Sequence, residues 1–194
     1  TQALVPLAAM AVLGPVIFYL HWPYLWHAPV DRTAWYLAFH ATHNHYAWFY
    51  LGTLMRGPPF PLSYVVVKTA LTVPTSLFAP MVTGFVALVG RALLSLSERT
   101  RDQVRMPTAS EALVGVNAVT SILIISHPQV PHFGGVKHWF PSMPFLGILA
   151  GAAVARGCFA LWEVLKARRP SVSPLAVTVP VFALLMVPAL LGLV

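Results

Sequence analysis

Acidic side chains are scarce in this sequence, five among 194 residues against twelve Lys and Arg, and cysteine occurs once. A single cysteine, Cys158, excludes an internal disulfide framework. Charged residues make up only 9% and hydrophobic ones 58%, with mean hydropathy +0.74, which argues against a soluble globular class. The net charge of +7 gathers at the ends of apolar runs, and no basic stripe carries base-stacking spacing. Nucleic acid is therefore set aside as a partner, and the lipid bilayer takes its place.

Apolar stretches are what the chain has in quantity. A bilayer crossing needs roughly 18 to 25 such residues, and five runs qualify as spans: Ala3–Leu20, Ser63–Leu94, Glu111–Ser126, Pro141–Leu165 and Pro174–Val194. Helix is the only open element that satisfies its own backbone in lipid, so the expected fold is all-α, a multi-pass transmembrane bundle forming one domain over residues 1–194. Pro74 and Pro80 predict a kink or an extension in the second run. Thr1 enters an apolar run without a basic leader, and Pro174–Val194 carries no polar tail. An internal piece of a longer polypeptide is the expectation, with the rest of that polypeptide as a partner.

Arg99, Arg101 and Arg105 lie in 95–110, and Lys166, Arg168 and Arg169 lie in 166–170. In a five-span chain both connections fall on one side, which the positive-inside rule makes cytoplasmic. Connections 21–62 and 127–140 then face outward. They hold all eight histidines: His21, His27, His40, His43, His45, His127, His132 and His138. Asp31 is their only acid, so paired-carboxylate catalysis within the chain is excluded by count. Residues Asp31 to Met55 can form a helix with Trp35, Phe39, Tyr46, Phe49 and Tyr50 on one face, lying in the interface, with Asp31 as its cap.

Three groups could carry chemistry in the outer connections. In FHATHNHYAWFYLG, His40 and His43 share a helical face while His45 points away, so no regular element aims all three at one divalent metal, though two of them could join His132 or His138 from the other loop on one. Hydrogen bonding of His40, His43, His45 and Tyr46 to a headgroup or substrate competes there with simple interfacial packing. In HPQVPHFGGVKHWFP, Gly134 and Gly135 allow a turn with exposed N–H groups, followed by Lys137 and His138 before the fourth span begins. In RGPPFPLSYVVVK, Arg56 leads a proline-stiffened entry, and Lys68 shares a helical face with Tyr64, about 9 Å further in. Two outward helix N-termini, each led by a cation, predict a site for a phosphate at membrane level.

HWPYLWH, WYLAFHATHNHYAWFYLG, PPFPLSYVVVKTALTVP and FGGVKHWFPSMPFLGILAG resemble the middle portion of bacterial polyprenyl-phosphate-dependent glycosyltransferases. These are the protein O-mannosyltransferase and aminoarabinose-transferase group of the GT-C fold, and the likeness runs from about Leu20 to Gly151. It implies transfer of a sugar from a polyprenyl-phosphate donor to an acceptor on the outer face of the bacterial inner membrane. It also implies a catalytic aspartate in an earlier outer loop, outside this chain. Lys137 stands where the family carries arginine, keeping the charge without the bidentate fork. The rival reading is a non-enzymatic membrane module, binding metal or haem through the histidines, or a transporter segment.

Overall fold

A computed structural model describes residues 4–41, 46–130 and 134–192. The protein is mostly helical, at 72%, and four of its helices are long and apolar enough to cross a membrane. They are α1 (Leu4–His21), α4 (Thr75–Leu96), α5 (Ala109–Ser126) and α6 (Met143–Arg168). Between α1 and α4 lie α2 (Pro29–Ala41), strands β1 (Trp48–Tyr50) and β2 (Thr53–Met55), and α3 (Tyr64–Thr72). The last element, α7 (Leu175–Leu190), is apolar with 16 residues. Expected spans one, three and four thus each hold a long helix.

The chain divides into two compact units, Thr1–Asn44 and His45–Val194. In the first, a single turn at Pro23–Leu25 joins α1 to α2. The Trp26 indole donates to the Tyr19 carbonyl at 2.9 Å. Arg32 donates to the Tyr24 carbonyl and lies 4.7 Å from the centre of the Tyr24 ring. Asp31 sits in the first turn of α2, where its charge complements the helix dipole.

The second unit departs from expectation in two places. The helix expected across Asp31–Met55 ends at Ala41, and residues 48–55 instead form an antiparallel hairpin pairing Trp48 with Met55 and Tyr50 with Thr53. Leu51 (φ 47°) and Gly52 (φ 83°) make its turn, both with positive φ as a two-residue hairpin demands. Phe49 and Tyr50 therefore belong to a strand, with Tyr50 on the Trp48 side and Phe49 on the other. The apolar run from Ser63 to Leu94 is not one helix either. It breaks at Val73, whose ψ of 130° is the extended conformation that a following proline imposes, here Pro74. Pro80 is accommodated inside α4.

Side-chain contacts fix the helix directions. Gly84 and Arg91 of α4 approach Leu149 and the Arg156 neighbourhood of α6, so those two helices run parallel. Glu111 and Ser121 of α5 meet Arg156 and Ser142, so α5 runs antiparallel to both. The α4–α6 approach is close because position 84 has no side chain, and a Cβ there would overlap the Leu149 carbonyl. At the far end of α6 the Trp162 indole donates to the Val172 carbonyl at 3.0 Å, holding the link to α7.

Candidate functional site

The site is built on α3 and on the turn before α6. Along α3, Tyr64, Val67, Lys68 and Leu71 recur at the spacing of one helical face, and that face lines a cavity of about 560 Å³. Val65 and Thr69 lie on the other side and are buried. The hairpin supplies the aromatic wall through Trp48, Phe49 and Tyr50, and Gly134 with Gly135 closes the edge.

Trp139 is the keystone beneath this wall. It is fully buried and packs edge-on to Tyr64 at 5.9 Å between ring centres, while Trp48 lies 4.5 Å from Tyr64 on the cavity side. Its indole N–H donates to Thr69 Oγ1 at 2.9 Å, and the Thr69 hydroxyl donates in turn to the Val65 carbonyl at 2.6 Å. A buried indole without such an acceptor would cost roughly 1–3 kcal/mol. Ser142, also fully buried, meets Ser121 at 2.6 Å and pins the start of α6 to α5. Phe60 N–H donates to the Pro128 carbonyl at 2.8 Å, tying the proline-rich entry of α3 to the loop after α5. The functional wall thus stands on packed, hydrogen-bonded supports.

Gly134 (φ 81°) and Gly135 (φ 67°) both adopt the left-handed region, which only glycine enters freely. A Cβ at Gly134 would collide with the Lys137 side chain, and one at Gly135 would stand 3.5 Å from Lys68 Cε. Lys137 therefore folds against Gly134, and Lys68 reaches Gly135. The Gly135 N–H bonds to the Tyr64 phenol, and burial pushes that phenol's pKa up more than this bond lowers it. Tyr64 opens the nine-residue α3, outside the four long apolar helices. It stays neutral and can donate its O–H.

The structure thus brings together Tyr64, Lys68, Gly134, Gly135 and Lys137. It leaves Arg56 exposed at the end of the hairpin and outside the cavity lining. His138 is half-buried in the turn Gly135–His138, and Tyr46 is exposed before β1. His40 belongs to the first unit, where it packs edge-on against Tyr36 at 4.3 Å and Phe39 at 5.3 Å. His43, His45 and His132 lie outside the described residues. Two other histidines serve the backbone: His21 Nδ1 is 2.9 Å from the Ile17 carbonyl, and His127 Nδ1 accepts from Gln129 N–H. Among the described residues no three His, Cys, Asp or Glu side chains converge on a metal position. Comparison with protein-family models, curated proteins and solved structures finds no match. The site has to speak through its own geometry.

Sequence reasoning named Lys68, Tyr64 and the two glycines but missed Trp48, Leu51, Val67, Leu71 and Trp139. Val67 and Leu71 were legible as the same i, i+3, i+4, i+7 face that carries Tyr64 and Lys68. The Trp48–Tyr50 alternation was a strand signal, obscured by the aromatic run around it.

Proposed function

We propose that this chain is the lipid-phosphate-gripping part of a membrane glycosyltransferase that takes a sugar from a polyprenyl-phosphate donor and gives it to an acceptor on the outer face of a bacterial inner membrane. The observation that carries the reading is the convergence of Lys68 and the Gly134–Gly135 turn on one aromatic-walled cavity. A sugar phosphate asks for this combination. Aromatic faces such as Trp48 and Tyr50 pack on sugar rings, and an ammonium group offsets the charge that builds on a departing phosphate. The sequence resemblance runs through the same residues.

In this reading α1, α4, α5, α6 and α7 are five crossings, the loops 97–108 and 169–174 face the cytoplasm, and α2 lies in the interface with Trp35 and Phe39 toward lipid. Trp35 and Phe39 stack at 5.4 Å and are both exposed, as an interfacial face requires. The test is binding of polyprenyl phosphate to the purified chain. Lys68→Ala should weaken it roughly tenfold, the worth of one charge-assisted contact, and Lys137→Ala and Arg56→Ala should weaken it less. Unchanged affinity in Lys68→Ala sinks the phosphate site.

A further inference from the structure

Helices α4, α5 and α6 carry a second polar cluster away from α3, made of full charges. Arg91 lies near the end of α4, Glu111 in the first turn of α5 and Arg156 midway along α6. Arg91 Nη2 is 2.7 Å from Glu111 Oε1, and Arg156 Nη2 is 3.8 Å from the same oxygen. Glu111 Oε2 is already taken, because it accepts the Thr108 N–H at 2.9 Å as half of a capping box. Neither arginine therefore obtains the two-pronged pairing its fork is shaped for.

The donor count leaves a surplus. Each guanidinium carries five N–H groups, about ten in all, facing one shared carboxylate oxygen. Arg91 Nε is buried without a hydrogen-bond partner. Two cations against one anion leave the trio at net +1. The three side chains border a cavity of about 160 Å³ whose other walls include Leu88, Ile148 and Ser110. Ile148 in that lining is itself exposed, an apolar face beside the charges. An oxyanion delivered together with apolar chains suits such a place.

We propose that Arg91, Glu111 and Arg156 form a binding site for the phosphate of an anionic membrane phospholipid, separate from the cavity on α3. A phosphodiester's two free oxygens match the guanidinium forks that Glu111 leaves unfilled. Both arginines reach the same Glu111 oxygen, so their forks stand at a spacing that one phosphate can bridge. The loop 97–108 at this end adds Arg99, Arg101 and Arg105 against Glu98 and Asp102, a further net +1 that draws anionic lipid.

Native mass spectrometry of the purified chain, released from micelles holding equal phosphatidylglycerol and phosphatidylcholine, tests this site. The wild type should retain phosphatidylglycerol preferentially. Arg156→Ala removes an exposed side chain whose ion pair is long, so folding should persist while that retention falls roughly tenfold. Arg156→Lys, which keeps charge without the fork, should fall between. Glu111→Gln still accepts the Thr108 N–H but no longer competes for the arginines, so retention should rise. Equal retention of both lipids by the wild type, undiminished phosphatidylglycerol in Arg156→Ala, or a fall in Glu111→Gln would each overturn the proposal. Displacement by excess inorganic phosphate would overturn the lipid assignment in favour of a soluble anion, and failure to displace supports the lipid.

Discussion

The two ends of the α4–α5–α6 bundle satisfy polar groups in opposite ways. Where α6 begins, three buried neutral donors each have a near partner: Trp139 to Thr69, Thr69 to Val65, Ser142 to Ser121. Where α4 ends and α5 begins, the groups are ionic, and one carboxylate serves two guanidiniums and a helix cap. Satisfied neutral networks rigidify a region, while an uneven set of charges leaves attraction to spare. The first end is built as a scaffold that holds one cation, Lys68, over a cavity. The second carries a surplus of cations beside the buried Leu88 and Leu149. Rigidity suits recognition of one shaped donor, and a surplus suits an abundant anion.

Breaking the scaffold should have the largest effect. Trp139→Ala empties a fully buried site and leaves the Thr69 hydroxyl oxygen without its indole donor, and the aromatic-to-alanine range of about 3–5 kcal/mol applies. Denaturant unfolding followed by tryptophan fluorescence reads this loss. Trp139→Phe keeps a ring against Tyr64 but loses the indole bond and part of the buried volume, so it should cost about 1–3 kcal/mol, less than alanine. A Trp139→Ala protein as stable as wild type would mean that the neutral end is no scaffold.

Next in size comes the contact that the two ends share. Gly84→Ala forces a Cβ into the Leu149 backbone and must part α4 from α6, at a cost of about 1–3 kcal/mol. Gly115→Ala provides the contrast, because its Cβ would meet only Leu88 Cδ2, at 2.8 Å, the end of a side chain that can turn. Gly84→Ala should lower both donor binding and phosphatidylglycerol retention, and Gly115→Ala should change neither much. Melting curves and both binding assays on the pair decide it.

Legibility divided along the same line. At the cavity, local periodicity sufficed: Tyr64 and Lys68 are four apart, and a double glycine before Lys137 announced a turn. The hairpin escaped because its turn uses Leu51 with φ 47°, where asparagine or aspartate would have signalled it. The break before α4 was visible in Pro74, but whether proline kinks or ends a helix depends on what packs beside it. The ionic trio was beyond reach. Arg91 and Arg156 are single charges within apolar runs of the sequence, and only the parallel α4–α6 packing sets them against Glu111. Thr108-x-x-Glu111 has the capping-box spacing, but nothing local to it shows that the carboxylate has two other claimants.

The smallest effect probes whether the neutral end behaves as a network. Ser121 Oγ meets Ser142 Oγ at 2.6 Å, and each has a weaker alternative at 3.4 Å, the Trp139 carbonyl for Ser121 and the Asn117 carbonyl for Ser142. In Ser121→Ala the buried Ser142 hydroxyl loses its short partner and turns to Asn117, so the loss should be about 0.5–1.5 kcal/mol. Replacing both serines removes the need along with the partner. The double variant should then be no less stable than the single one, and a double-mutant cycle should show strong coupling. Additive losses would show two independent serines, each bonded to backbone, and the neutral end would differ from the ionic end in charge alone.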